Sequence, residues 1–444
     1  MHTLEQLRAG ELQGSRRLQL AGGLTEFPRE VFSLADSLEI LDLSGNQLSS
    51  LPNDLDKLSH LKVIFCSQNN FTQLPPVLGR CASLSMIGFK SNKIVDVPAA
   101  ALPPKLRWLI LTDNCVQQLP DNIGTCVELQ KLMLAGNQLA NLPDSLAHCH
   151  NLELVRLAAN RLEQLPPWLF SLPRLTWLAY AGNPMTAPLE AQALAGAMTE
   201  IDWQQLDIDE LLGEGASGLI YRANWSKADT QHPVAVKLFK GAMTSDGLPQ
   251  SEMASTIKAG QHSALTHTLG RVAQHPDGTD GLVMQLIPRD FGNLAGPPSL
   301  ASCTRDIYAP AQRFTPVAMF RIATAIASAA QHLHQQGMMH GDLYGHNILT
   351  TTAGDALLSD YGAASFYDCA DTHLAERLPR LEVRAFGCLL EELLARCDGL
   401  NAATQQGLSA LVAACLLPQL LARPTFDAIC QQLTELQQQH AIAA

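Results

Sequence analysis

The chain lacks the features that would direct it to nucleic acid, to a membrane or to an oxidising compartment. It has no positive excess: 42 acidic residues outnumber 30 basic ones, for a net charge of −12. Nucleic-acid binding leans on basic patches, so this balance gives no reason to expect it. No window reaches the ~18 consecutive apolar residues of a membrane-spanning helix. The N-terminal stretch MHTLEQLRAGELQ has no apolar h-region, so no signal peptide is expected. Eleven cysteines lie between Cys66 and Cys430 without a single C-x-x-C pair, and so without zinc or redox spacing. Reduced, mostly buried thiols and a cytoplasmic location follow as expectations. What the chain does have is apolar side chain, 47% of 444 residues. That suffices for the cores of two or three domains at ~100–200 residues each.

Self-similarity dominates residues 38–183. The first copy reads Leu38, Leu41, Leu43, Asn46, Leu48, Leu51-Pro52, and later copies begin at Leu61, Leu84, Leu106, Leu129, Leu152 and Leu175. The step is 23 residues, once 22, and the asparagine position is filled each time, by Asn46, Asn69, Asn92, Asn114, Asn137, Asn160 and Asn183. Seven copies in phase resemble the leucine-rich repeat. Each copy is expected to supply one short strand with inward leucines. No copy buries that face alone, so neighbours stack into a solenoid. The asparagine amide is expected to bond backbone groups of its own turn and of the adjacent copy. Leu18-Gln19-Leu20 to Phe27-Pro28 reads as a degraded first copy, an N-terminal cap.

On a pleated strand, outward positions alternate with the leucines. The residue two after each leading leucine is Ile40, Val63, Met86, Trp108, Lys131, Leu154 or Trp177, with Phe65, Ile110 and Met133 beside them. A stripe of aromatic and Met side chains on the concave face is typical of a binding surface. The expected protein partner is therefore placed on Phe65, Trp108, Ile110, Met133 and Trp177. The alternative is that these side chains pack against one another or against the rest of the chain.

The second half carries phosphate chemistry. Gly213, Gly215 and Gly218 form G-x-G-x-x-G, with Ile220 two residues on. Glycines let backbone N–H groups approach phosphate oxygens, but dinucleotide folds carry the same three. Val234-Ala235-Val236-Lys237 follows as a strand-like run ending in lysine, and Glu252 lies 15 residues beyond in a stretch that can be helical. Residues 282–288, LVMQLIP, read as a buried strand entering a turn. A helix over roughly 316–336 leads into His340-Gly341-Asp342-Leu343-Tyr344-Gly345-His346-Asn347, and Ser359-Asp360-Tyr361-Gly362 comes next.

In this order the motifs resemble those of protein kinases over about residues 206–438. The resemblance implies an α/β leucine-rich-repeat solenoid (1–186), a junction or capping helix (187–205) and a bilobal α+β protein kinase domain (206–440). It implies ATP and Mg²⁺ as cofactors. Gly213, Glu214, Gly215, Gly218, Ile220 and Ala235 would surround the nucleotide, with Lys237 on its α/β-phosphates and Glu252 holding Lys237. Met284 would be the gatekeeper, and the backbone from Gln285 to Ile287 would meet the adenine edge. Asp342 would take or orient the substrate hydroxyl proton, while Asn347 and Asp360 would hold Mg²⁺.

The pattern also departs from the family. Gly341 replaces the arginine that receives an activation-loop phosphate, so loop phosphorylation through that contact is not available. No A-P-E follows Asp360, which leaves Arg423 of Arg423-Pro424 without its usual glutamate, Glu376 being a substitute. Glu382 replaces the helix-F aspartate. Tyr344 stands where Ser/Thr kinases carry lysine. His346 stands where many Tyr kinases carry arginine, and with an ordinary pKa of ~6.5 it would be mostly neutral at pH 7. The expected function is transfer of the ATP γ-phosphate to a protein hydroxyl, Ser/Thr favoured, with the repeats recruiting the partner. A pseudokinase scaffold and a small-molecule phosphotransferase, whose relatives carry H-G-D, are the alternatives. Ser365, Tyr367 and Thr372 are candidate loop phosphorylation sites.

Overall fold

A computed structural model describes residues 2–443 apart from Ala197, Ala216, Asp229, Ala242 and Ser245. Contacts divide the chain into two units, residues 1–175 with 183–185, and residues 176–182 with 186–444.

In the first unit each copy of the period delivers a three-residue strand. Arg17–Gln19, Ile40–Asp42, Val63–Phe65, Met86–Gly88, Trp108–Ile110, Lys131–Met133 and Leu154–Arg156 pair in parallel. The register advances by one copy per strand, so that Ile40, Val63, Met86, Trp108, Lys131 and Leu154 form one row. The middle residues Leu41, Ile64, Ile87, Leu109, Leu132 and Val155 are wholly buried. Each buried aliphatic side chain of this inward row contributes about 1.5–3 kcal/mol to the unit. A short 3₁₀ turn follows each strand on the other side of the copy, for instance Asp121–Thr125 and Asp144–His148.

The asparagines act as expected. Asn114 Nδ2 donates to the carbonyls of Phe89 (2.9 Å) and Leu111 (3.0 Å), and its Oδ1 accepts from Ile94 N–H at 2.9 Å. Asn46, Asn69, Asn137 and Asn160 bond in the same way. Each amide thus satisfies peptide groups that the tight turn leaves without partners. The degraded first copy forms the strand Arg17–Gln19, preceded by a helix, Leu4–Arg8, closed by a Thr3–Gln6 capping box.

The outward stripe is more covered than expected. Val63, Met86, Lys131 and Leu154 are buried, while Phe65, Trp108, Ile110 and Met133 are half-buried. Some of this cover is mutual. Phe65 lies across Gly88, where a side chain would collide with its ring. The Trp108 indole N–H points to Met133 sulfur at 3.3 Å, and Lys131 Nζ sits 4.5 Å above the Trp108 ring.

The second unit has two layers of different character. Leu206–Glu214, Gly218–Lys227, Thr230–Phe239, Gly281–Gln285 and Thr268–Ala273 form an antiparallel sheet in that spatial order, to which Glu200–Asp202 adds in parallel beside Thr268–Ala273. Its core is Ile201, Leu206, Ala223, Trp225, Val234, Val236, Val272 and Val283. The valines of the V-A-V-K run face this core because β-branched side chains pack well on a pleated surface. The rest is helical: Pro316–Gln335, Thr372–Leu394, Ala402–Cys415 and Phe426–Ala443. Thr315 and Asp371 cap the first two by accepting backbone N–H groups of the first turn. Between them lie two small sheets, Gly292–Asn293 with Ile348–Thr350 and Ala356–Leu358, and Met338–Met339 with Ser365–Phe366. Eleven free thiols are present, seven of them buried. Among the described residues no helix is long and apolar enough to cross a membrane.

Candidate functional site

The sheet and the helices of the second unit bring the sequence motifs together from opposite sides. Gly213 and Glu214 end one strand and Gly218 begins the next, and the turn closes through Gly215 N–H to the Gly218 carbonyl at 2.9 Å. A Cβ on Gly218 would lie 2.6 Å from the Leu238 carbonyl oxygen, so the close approach of the two strands requires glycine. Nothing lies within 4 Å of a Cβ placed on Gly213, so the loop is open there. Lys240 pairs with Glu214 and tethers the loop to the neighbouring strand.

Ile220 stands opposite Lys237, and Ala235 stands between Arg222 and Met284. Lys237 pairs with Glu252 of the helix Pro249–Ala259, the side chains being 13% and 4% exposed. Burial raises the Glu252 pKa and the Asp360 charge adds to this, with the Lys237 ammonium opposing both. A pair this deep is held by its two partners, since removing one leaves an uncompensated buried charge. Met284 packs on Phe239, Met253 and Leu282. The N–H of Gln285 is donated to the His267 carbonyl at 2.9 Å, so that donor is already engaged.

The loop His340–Asn347 is fixed by a carboxylate beneath it. Glu382 accepts the N–H groups of His340 (3.1 Å) and Gly341 (2.7 Å) and meets His334 Nε2 at 3.0 Å. Burial alone would raise the Glu382 pKa, but the bond and charge of His334, the charge of His340 and the Gly341 N–H outweigh it and hold it low. Gly341 has φ +73°, a conformation that disfavours any side chain. Asn347 Nδ2 donates to both the carbonyl (2.9 Å) and the carboxylate (2.8 Å) of Asp342. Ser359 donates both N–H and hydroxyl to the Asn347 carbonyl at 2.9 Å, which joins the loop to Asp360. Asp360 adopts φ +61°, with its Oδ1 accepting Gly362 N–H at 3.1 Å. A positive φ on a non-glycine residue is strain of the kind that clusters at functional sites.

This constellation coincides with what comparison with known proteins shows. Residues 206–385 match the model of the family described as protein tyrosine and serine/threonine kinase, and residues 36–79 match leucine-rich repeats, two copies. Residues 206–385 are a protein kinase domain. The chain is similar to "Probable serine/threonine-protein kinase gdt2" of Dictyostelium discoideum, 27% identical over 37% of this chain and 9% of that protein. It is 25% identical to fibroblast growth factor receptor 1 of Xenopus laevis over 42% of this chain and 24% of the receptor. It is 31% identical to cytokinesis protein sepH of Aspergillus terreus over 36% of this chain and 10% of that protein. The matched region thus spans under a quarter of the length of each of these relatives.

Within the kinase domain the departures from the family pattern find local explanations. Arg423 is buried and donates to the carbonyls of Leu417 (2.8 Å) and Arg380 (3.2 Å). Glu376 pairs instead with Arg377 and Arg380. His346 differs from the expectation of an ordinary pKa. Its Nδ1 lies 2.7 Å from Asp306 Oδ1 and its N–H reaches Asp306 Oδ2 at 3.1 Å. Burial would lower its pKa, but Asp306, with the charges of Asp342 and Asp360, raises it. Asp306 was not legible in the sequence: it sits in an irregular stretch that matches no motif, 40 residues from its partner. The candidate phosphorylation sites differ in access. Ser365 is fully buried and Tyr367 is 4% exposed, its hydroxyl donating to the His334 carbonyl. Thr372 begins a helix at the surface. Trp177, expected on an open face, is 2% exposed.

Proposed function

We propose that this chain transfers the γ-phosphate of ATP to a protein hydroxyl, Ser/Thr favoured. The observation that carries the reading is the convergence of the buried Lys237–Glu252 pair with the Asp342–Asn347 bond and Asp360 on one site. The arrangement fits Mg-ATP. Among the described residues no group of three or more His, Cys, Asp or Glu is placed to hold a metal ion. Asn347 and Asp360 would be the two protein ligands, which suits Mg²⁺ because it fills its shell with phosphate oxygens and water. A magnesium ion held by Asn347 and Asp360 would supply positive charge opposite the phosphates. Lys237 would orient the α/β-phosphates, with Glu252 holding its ammonium in place. The glycine turn 213–218 would cover the phosphates with backbone N–H groups. Asp342, oriented by Asn347, would accept the hydroxyl proton of the acceptor.

Ser/Thr preference is supported by the similarity to the Dictyostelium serine/threonine-protein kinase gdt2. The repeats would recruit the protein partner through Phe65, Trp108, Ile110 and Met133. The free thiols fit the reducing cytoplasm.

The test is phosphosite mapping of the full chain after incubation with Mg-ATP, alongside ATP consumption, with Asp342→Asn as control. New phosphoserine or phosphothreonine in wild type only is the expected result. Equal ATP turnover by wild type and variant would sink the enzyme reading and leave a scaffold.

A further inference from the structure

The stretch 176–202 contains no kinase motif and lies before the matched domain, yet apart from 183–185 it belongs to the same compact unit. Its side chains reach the two elements on which the proposed chemistry depends.

The first element is the catalytic loop. The Trp177 ring stacks on Tyr344 with centroids 4.1 Å apart and planes 8° from parallel, and its indole N–H donates to the Leu343 carbonyl at 3.1 Å. Tyr344 and Leu343 directly follow Asp342. The Leu178 carbonyl oxygen lies 2.7 Å from where a Gly341 Cβ would stand, so the arginine of the family pattern has no room here. Two residues on, Tyr180 N–H donates to Ser365 Oγ at 2.9 Å. This bond ties the stretch to the segment after Asp360.

The second element is the helix Pro249–Ala259. Glu190 lies in the helix Ala187–Leu194 and is only 8% exposed. Its Oε1 accepts Gly182 N–H and its Oε2 accepts the Ser251 hydroxyl, both at 2.7 Å. Ser251 precedes Glu252, the residue that holds Lys237. Leu194 packs against Phe239, Met253 and Leu282, and its carbonyl accepts from Arg271 at 3.2 Å. A carboxylate is costly to bury, and charge-assisted bonds to both oxygens offset that cost where they hold elements in place.

We propose that Trp177 and Glu190 are positioning residues for phosphoryl transfer. Trp177 acts through Leu343 and Tyr344 on Asp342, and Glu190 acts through Ser251 on Glu252. The stretch 176–202 thereby holds the site ordered without a phosphate on the segment after Asp360, where Ser365 is buried and already bonded. This rests on the kinase reading.

The experiment uses the full chain and two readouts, steady-state kinetics with Mg-ATP and amide hydrogen exchange. Glu190→Ala is expected to lower kcat by roughly 10–100-fold, the scale of losing ~1 Å of alignment, with KM for ATP changed less than about threefold. Exchange should quicken within 249–259 and stay unchanged in 316–335. Glu190→Gln, whose amide still reaches Ser251, should recover most of kcat. Trp177→Ala should quicken exchange within 340–347 and lower kcat, and Trp177→Phe, which keeps the stack, should recover most of it. A twofold or smaller change in kcat for both alanine variants overturns the proposal. So does quickened exchange spread evenly into 316–335, which marks a merely structural role. If wild type shows no transfer, the kinase reading fails and the proposal with it, whereas transfer by wild type with unchanged exchange in 249–259 and 340–347 of the alanine variants overturns the proposal alone.

Discussion

In the repeat unit one side chain does one job many times: an asparagine every 22 or 23 residues caps the same turn and bonds the preceding copy. In the kinase domain each polar group does a different job once. Glu382 pins the loop from below, Asn347 orients Asp342, and Asp306 holds His346. The repeat therefore has neighbours that absorb the loss of one copy, because its stability is close to a sum over adjacent copies. The site has no second copy of anything. A single change there should remove activity, whereas a single change in the repeats should cost some stability and leave activity in place.

The largest expected effect is on the site. Asp342→Asn should lower phosphoryl transfer by about 10²–10⁴-fold, the usual contribution of a positioned acid or base. Its far-UV circular dichroism should match wild type, and a parallel loss of folded signal would break the comparison.

Next comes Glu382→Gln. The Glu382 carboxyl sits below its ordinary value of 4.5, so the folded form binds a proton more weakly than the unfolded one. Its stabilisation is complete above about pH 4.5 and is lost as pH falls through the lower folded value. The variant should be less stable by about 2–4 kcal/mol at pH 7, because the His340 and Gly341 N–H groups bond separate oxygens and an amide replaces one of these with a donor and removes the charge. In urea unfolding that gap should narrow as the pH is taken from 7 to 4. A gap independent of pH would mean that shape rather than charge is lost.

Asn114→Ala tests the repeat side. It leaves Ile94 N–H without its bond, while the carbonyls of Phe89 and Leu111 keep only the amides of Asn92 and Asn137. The expected loss is about 1–3 kcal/mol, with transfer to a generic protein substrate unchanged. A fall in kcat would show that the two halves are not separable in this way. The smallest effect is expected for Gly88→Ala. Its Cβ would stand 2.5 Å from a Phe65 ring carbon, but that ring is half-buried and can turn aside, so about 1 kcal/mol is the scale. Altered Phe65 ring signals in NMR, with a midpoint shift of a few degrees at most, would bear this out.

Much of this was legible before any coordinates. The repeat was readable because its period is local: leucines and asparagines recur at fixed steps, and each satisfies groups one copy away. The lysine strand, the glutamate helix and the loops of Asp342 and Asp360 were readable because ordered motifs carry them. Trp177 was misplaced for a physical reason. Strand alternation says which way a side chain points, not what stands in front of it, and here Tyr344 stands there. His346 was assigned an ordinary pKa for the same reason, since Asp306 approaches it from a stretch with no pattern of its own.

The sequence by itself thus determined the repeat architecture and the order of the kinase motifs, because both are written in fixed spacings along one chain. Tertiary structure alone decided the partners of Trp177, Glu190 and His346. Those contacts join residues 40 to 167 positions apart, and only folding brings their hydrogen-bonding groups and ring faces within reach.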